Sequence, residues 1–434
     1  MNVLVVGGGG REHAICWALK KSPRVETLYC APGNAGIAQV AQCIDIAAAD
    51  IDAIVRFSAG NHVDFVVVAP DDPLALGMVD ALEAAGIRAF GPRKNAAILE
   101  SSKVFSKGLM KAYGIPTARY EVFTDSDEAK AYINEAGAPI VVKADGLALG
   151  KGVVVSTNII TAISAVDTMM LDRKFGESGS RIVIEEYMTG PEVTVLAFTD
   201  GKTIVPMLSS QDHKRVYSGD LGPNTGGMGA ICPSPNYTAD IAKECMETIF
   251  RPTIDAMNAE GRPFKGVIYF GLMLTQDGPR VVEYNARFGD PEAQPILSLL
   301  KTDLLDILEA VVDERLHEIE IEWLDGSACC VVLSSGGYPG KYQTGFEITG
   351  LDTVPDDTIV FHAGTARSGS AYLTSGGRVL GVTAVGDCLA TATNRAYKGV
   401  RCIDFKGAHY RSDIGRIEGS PDPMYTGFAK QGSE

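Results

Sequence analysis

Residues 281–294 read VVEYNARFGDPEAQ, a β-branched run followed at once by a polar segment with glycine and proline. The run predicts a strand over 281–285. Side chains at i, i+2 and i+4 of a strand share one face, so Glu283, Asn285 and Arg287 point the same way. A carboxylate beside an amide oxygen offers hard donors suited to Mg²⁺, which usually arrives carrying nucleotide phosphates. Arg287 adds a forked donor for a phosphate or carboxylate next to that metal. The plainer reading is a solvated strand face.

The upstream stretch 138–156, APIVVKADGLALGKGVVVS, weighs against the plainer reading. A β-branched run ends at Lys143, and a loop with Gly146, Gly150, Lys151 and Gly152 leads into a second such run. Glycines let backbone N–H groups approach phosphate oxygens closely, and two lysines bracket the loop as point charges. The G-x-x-x-x-G-K-[ST] spacing is absent, and a strand leaves the loop where that motif would start a helix. An ordinary glycine-rich hairpin would leave two lysines and an aspartate in nine residues without a purpose.

GGGGREHA at 7–14 follows a strand and opens a helix, which invites a dinucleotide reading. The G-x-G-x-x-G spacing fails, because Glu12 stands where the third glycine belongs, and the second strand ends at Cys30-Ala31 without an acid for a ribose. A phosphate at the helix N-terminus remains open.

Composition fits a multidomain enzyme. A chain of 434 residues that is 46% hydrophobic can bury several cores. The net charge of −15 argues against a nucleic-acid partner. Anionic substrates must therefore meet local clusters of Lys, Arg and backbone N–H. The nine cysteines show no C-x-x-C and several sit in apolar runs, which reads as reduced thiols of a cytoplasmic protein. The six histidines lack zinc spacing. No apolar run approaches membrane-spanning length, and the chain opens directly on a strand, so neither a span nor a signal peptide is expected.

Residues 1–102 alternate strands (MNVLVV, VETLYCAP, VDFVVVAP, GIRAFGP) with helices, which implies a parallel sheet. One helix is expected over PLALGMVDALEAAG, with Asp72 as cap and Pro73 first, and one from about Asn95 to Tyr113. Strands and helices alternate around the glycine loop over 119–190. A hairpin turning at Asp200-Gly201 follows, then a long polar loop, 209–230. Helices near 238–259 and 292–313 and two strands near 266–284 complete the centre. Residues 327–416 read as a small α+β unit of short strands with one helix at about 386–398. The tail 417–434, rich in Gly, Pro and Ser, is expected to be loosely ordered.

Six motifs in order carry a resemblance: GGGGREHA (7–14), PGNAG (32–36), KADGLALGKGVVV (143–155), QDHKR (211–215), GPNTGGMGA (222–230) and RFGDPEAQ (287–294). Over about 1–416 the chain resembles the phosphoribosylamine–glycine ligase family, the glycinamide ribonucleotide synthetases of the ATP-grasp superfamily. The resemblance implies an α/β and α+β multidomain fold. Its parts are an N-terminal parallel-sheet domain (1–102), a central ATP-grasp domain (103–326) with a mobile lid, and a small C-terminal α+β domain (327–416). It implies ligation of glycine to 5-phosphoribosylamine in purine biosynthesis, with ATP as co-substrate and Mg²⁺, or alternatively Mn²⁺, on Glu283 and Asn285. ATP would be held by Lys103, Lys143, Gly146, Gly150, Lys151, Gly152, Glu185, Glu186, Tyr187 and Glu192. Gly9, Gly10, Arg11 and Asn34 would help hold phosphoribosylamine. Asp212, Lys214, Arg215, Asn224, Gly227 and Arg287 would place glycine and the acyl phosphate, with Asp212, Lys214 and Arg287 closest to the chemistry. One departure stands out: the position about twelve residues before Glu283, where many ATP-grasp enzymes carry a further acidic ligand, is at or near Gly271. The oligomeric expectation is a monomer or weak homodimer. Other ATP-grasp carboxylate–amine ligases, a nicotinamide oxidoreductase and a non-catalytic binding protein are the competing readings.

Overall fold

The computed structural model describes residues 1–147, 152–172, 174 and 176–416. Gly150, Lys151 and the 417–434 tail lie outside the described residues.

The N-terminal sheet is parallel throughout, in the order Gln42–Cys43, Thr27–Pro32, Asn2–Gly7, Phe65–Val68, Arg88–Phe90. Its strands are apolar without alternation because both faces are covered. Val3 and Val5 pack toward the Gly10–Leu19 helix and the Leu304–Val312 helix. Leu4 and Val6 pack toward Ile54, Met78 and Leu82 on the other side.

The central sheet is antiparallel, in the order Ile204–Pro206, Glu192–Thr199, Gly266–Thr275, Gly278–Asn285. It too is covered twice: Val193, Val195, Ile268 and Phe270 join one core, Leu196, Phe198 and Val267 another. A smaller four-stranded sheet stands over it, ordered Tyr120–Phe123, Ile182–Glu186, Ile140–Ala144, Val153–Ser156. Here alternation is clean. Ile140, Val142 and Ala144 pack against the helices Ser126–Ala136 and Ile159–Val166, while Val141 and Lys143 line a cavity.

The C-terminal sheet takes two strands from mid-chain: Gln211–Asp212, Gly229–Cys232, Ser327–Ser334, Arg378–Gly386, Thr358–His362. The helix Leu389–Cys402 packs on it.

Several expected elements are divided. The 71–84 segment is two helices, Asp71–Leu76 and Met78–Ala84, parted at Gly77 with φ +98°; Pro70, not Asp72, is the N-cap. The helix expected from Asn95 to Tyr113 is Lys94–Ser101 and Lys103–Ala112. Ser102 is extended between them, and its Oγ accepts the Phe105 N–H at 3.1 Å. The 292–313 helix is Ala293–Ser298 and Leu304–Val312, with Asp303 capping the second. The expected 209–230 loop contains four short strands, two of them hydrogen-bonded as the hairpin Arg215–Tyr217 and Leu221–Asn224.

Candidate active site

The small sheet's open face and the Gly278–Asn285 strand enclose a cavity of about 530 Å³. Glu283 reaches it through a β-bulge. Gly271 pairs with Glu283 and Leu272 with Val281, so Val282 has no partner of its own. Val281 and Tyr284 are buried in the core, whereas Val282, Glu283 and Asn285 are half-buried at the cavity wall. Gly271, the position without an acid, lies directly opposite Glu283.

Burial alone would raise the Glu283 carboxyl. Lys214 first, then Lys143, Lys103 and Arg287, outweigh it and hold the group below its ordinary range. Lys214 Nζ stands 2.8 Å from Glu192 and 3.9 Å from Glu283. Asn285 Oδ1 accepts from Arg287 Nη2 at 3.3 Å. Among the described residues no cluster of three or more His, Cys, Asp or Glu is placed to hold a metal. The donor set is thus one ionised carboxylate and one amide oxygen. It fits a hard cation that brings the rest of its shell as phosphate oxygens and water.

The lysines gather on the other wall. Lys103 Nζ donates to the Gly146 carbonyl at 2.9 Å. Lys143 Nζ lies 2.9 Å from Glu185 Oε2 and donates to the Val282 carbonyl at 3.1 Å. Glu185, for which a solvated edge was an alternative, is 3% exposed and also faces Lys107 Nζ at 3.2 Å. Glu186 is engaged by Arg119 at 2.7 Å and Arg280 at 3.2 Å. Tyr187 is exposed and Gly152 borders the cavity.

Among the described residues, the buried Asp212 Oδ1 and Arg287 Nε, like Glu185 Oε1, find no hydrogen-bond partner. Burial, then the neighbouring Glu292 carboxyl, pushes the Asp212 carboxyl well up. Arg287 is held by Glu100 at 3.1 Å, whose other oxygen accepts the Ala286 N–H at 2.7 Å. Asn224 lines the same cavity.

Other expected residues sit differently. Gly9 N–H donates to Glu12 Oε2 at 2.5 Å, so the helix start is already met by its own carboxylate. Gly10 permits close packing, since a Cβ there would meet Gln294 Nε2 at 2.6 Å. Asn34 Nδ2 donates to the Gly8 and His362 carbonyls at 2.9 and 2.8 Å, and its Oδ1 accepts from Gly36 and Ile37. Arg215 donates within its hairpin to the Gly222 carbonyl. Gly227, at φ +113°, leaves room for Asp212 Oδ1 and Pro291. Of the N-terminal set only Arg11 lines the cavity; it is buried, paired with Glu12 and donating to the Phe288 carbonyl at 3.2 Å.

The structure adds residues that motif reading passed over. Glu100, Lys107, Tyr269, Glu292, Tyr338 and Arg378 all line the cavity. Arg378 comes from the C-terminal sheet, lies 3.2 Å from Asp290, and donates to the carbonyls of Asp290 and Gly226.

The same fold occurs in the biotin carboxylase domain of Hydrogenobacter thermophilus 2-oxoglutarate carboxylase, at 16% identity and TM-score 0.73, covering 94% of this chain and 91% of that one. The match of residues 101–293 to the model of an ATP-grasp domain makes this an ATP-grasp enzyme. Sequence comparison narrows the class. Models of the N, ATP-grasp (A) and C domains of phosphoribosylglycinamide synthetase match residues 1–100, 101–293 and 328–417. The phosphoribosylamine–glycine ligase of Caldanaerobacter subterraneus subsp. tengcongensis is 48% identical over 414 residues, 95% of this chain and 99% of its own length. The trifunctional purine biosynthetic protein adenosine-3 of Gallus gallus is 50% identical over 418 residues, 95% of this chain and 42% of that protein. The crystal structure of the Thermotoga maritima phosphoribosylamine–glycine ligase has TM-score 0.83 at 32% identity, covering 95% of this chain and all of that one. The chain belongs to the phosphoribosylglycinamide synthetase family.

Proposed function

We infer that this chain is an ADP-forming ligase that joins glycine to 5-phosphoribosylamine, giving glycinamide ribonucleotide in purine biosynthesis. Family membership over the whole chain supports the activity. One observation carries the site reading: the paired orphans Asp212 Oδ1 and Arg287 Nε of a cation-walled cavity. A small zwitterion offers each its missing partner, an ammonium for Asp212 and a carboxylate for Arg287. An ammonium there favours the ionised form of Asp212 and so opposes the effect of burial.

A glycine carboxylate oxygen then attacks the γ-phosphorus, ADP leaves, and glycyl phosphate forms. The amine of phosphoribosylamine adds to the carbonyl carbon, the new C–N bond sheds a proton, and phosphate departs with the original carboxylate oxygen. Lys103 and Lys143 meet the growing charge on the transferred group. No enzyme nucleophile is needed, so catalysis is chiefly positioning. Glu283 and Asn285 would hold Mg²⁺, or Mn²⁺, which when bound neutralises β- and γ-phosphate charge. The small sheet with its paired strands Ile140–Ala144 and Val153–Ser156 acts as a lid that keeps water from the acyl phosphate. Reading of adenine falls to the 185–187 segment and of ribose to Glu192, once Lys214 yields. Phosphoribosylamine lies toward Arg11. The enzyme works in the cytoplasm as a monomer or weak homodimer. No helix among the described residues is long and apolar enough to cross a membrane.

The test is isotopic. With glycine labelled by ¹⁸O in its carboxylate, the released phosphate should carry the label. Unlabelled phosphate with normal product formation contradicts the acyl phosphate.

A further inference from the structure

Lys107 is buried at 2% exposure and lies one helical turn beyond Lys103. Its ammonium faces Glu185 Oε1 at 3.2 Å, and its hydrogen bond goes to Thr117 Oγ1 at 2.7 Å. Thr117 Oγ1 in turn donates to the Val281 carbonyl at 2.7 Å. The other oxygen of the same carboxylate holds Lys143 at 2.9 Å, and Lys143 donates to the Val282 carbonyl. One buried carboxylate therefore sits between two buried ammoniums, and both ends of this chain are tied to the two bulge residues beside Glu283.

Two like charges this close repel, and one counter-ion would satisfy Glu185. A second ammonium matters only if the first must leave. Turning Lys143 toward a phosphate would otherwise strand an unpaired carboxylate in a dry wall, which is costly. We propose that Lys107 is a positioning residue for nucleotide binding: it keeps Glu185 neutralised, so that Lys143 is released to meet the phosphates of ATP. This rests on the reading of Lys143 as a phosphate ligand. Thr117, itself held by the Val281 carbonyl, fixes Lys107 independently of Lys143, so Lys107 stays when Lys143 departs. Burial lowers the Lys107 ammonium to about 8, with Glu185 opposing the shift. Lys107 is thus held by its neighbours and not by solvent.

The experiment compares steady-state kinetics of Lys107→Met, Lys143→Met and the double variant Lys107→Met/Glu185→Gln, each checked for folding by circular dichroism. In Lys107→Met, Glu185 has only Lys143 and retains it. KM for ATP should rise about tenfold or more, while KM for glycine stays within about twofold and kcat falls less than KM rises. In the double variant no carboxylate is left to strand, so KM for ATP should fall by about threefold or more from the Lys107→Met value. A merely structural role for Lys107 would not be relieved by removing its partner's charge. If Lys107→Met does not fold, Lys107→Gln with and without Glu185→Gln gives the same comparison. An unchanged KM for ATP in Lys107→Met while Lys143→Met raises it overturns this proposal alone, as does a double variant no better than the single. An unchanged KM in Lys143→Met overturns the phosphate reading beneath it.

Discussion

At the residue scale the site is a set of charges each held by a partner from far away in the chain. Glu283 and Asn285 were legible in the sequence because both follow the bulge, so the period of two between them survives. Glu100, Lys107 and Arg378 were not, because an isolated charge on a helix or strand carries no mark of its partner. Glu100 meets Arg287, 187 positions further along the chain, only once the chain has folded. At the N-terminal glycines the carboxylate of Glu12 takes the Gly9 amide, a local contact that the motif does not show. Glu283 is the residue whose loss should cost most. Glu283→Gln keeps shape and removes the charge opposite Lys214, Lys143 and Lys103. Turnover measured at saturating Mg²⁺ should fall about a hundredfold or more, with the melting temperature little changed. Near-normal turnover would remove Glu283 from the metal site.

At the element scale, breaks in regular structure place the chemistry. The bulge at Val282 brings Glu283 onto the cavity wall and offers a carbonyl to Lys143. The break at Ser102 starts a new helix so that Lys103 and Lys107 point into the cavity, and Ser102 Oγ also donates to Asp145 Oδ1 at 3.0 Å. The polar run ESSK at 100–103 parts the apolar residues of 95–113 at this break, and the serine in it was the cap signal. The Ile140–Ala144 and Val153–Ser156 hairpin packs one face on its helices and leaves the other to the cavity. A bound nucleotide would give the backbone N–H groups on its cavity side further partners. Amide exchange at Gly146, Leu147, Gly152 and Val153 should therefore slow on adding an ATP analogue with Mg²⁺, while Val66–Val68, buried in the parallel sheet, should already be protected. Exchange that is slow at these positions in the free protein and unmoved by nucleotide would make the segment a structural hairpin.

At the scale of the whole molecule, the first helix and the C-terminal sheet close on each other. The alternation of strands and helices made the parallel sheet legible. The docking of distant strands was not, because a two-residue strand such as Gln211–Asp212 is set by its neighbour and not by its own pattern. His13 Nδ1 accepts the His362 N–H at 2.8 Å, joining the first helix to the C-terminal sheet. Both rings are held neutral, chiefly by burial. His13 is lowered from 6.5 to about 3, with the second histidine adding to the effect, and His362 to about 4. Below pH 6.5 the unfolded chain binds protons that the folded one refuses. The stability the pair contributes is full above that pH and drains as the pH falls toward 4 and then 3, on the order of 2 kcal/mol per histidine by about pH 4.5. The fall in melting temperature between pH 7 and about pH 4.5 should shrink in a His13→Asn/His362→Asn variant. An equal fall in both proteins would place the acid-sensitive groups elsewhere.

The central claim is that one cavity brings together ATP, glycine and 5-phosphoribosylamine. ADP release is its most direct measure, with phosphoribosylamine generated in situ and each component omitted in turn. Sustained ADP formation should require Mg²⁺, glycine and phosphoribosylamine together, and glycinamide ribonucleotide should accumulate in step with it. Equal ADP release without glycine, or with another amino acid in its place, would contradict the account.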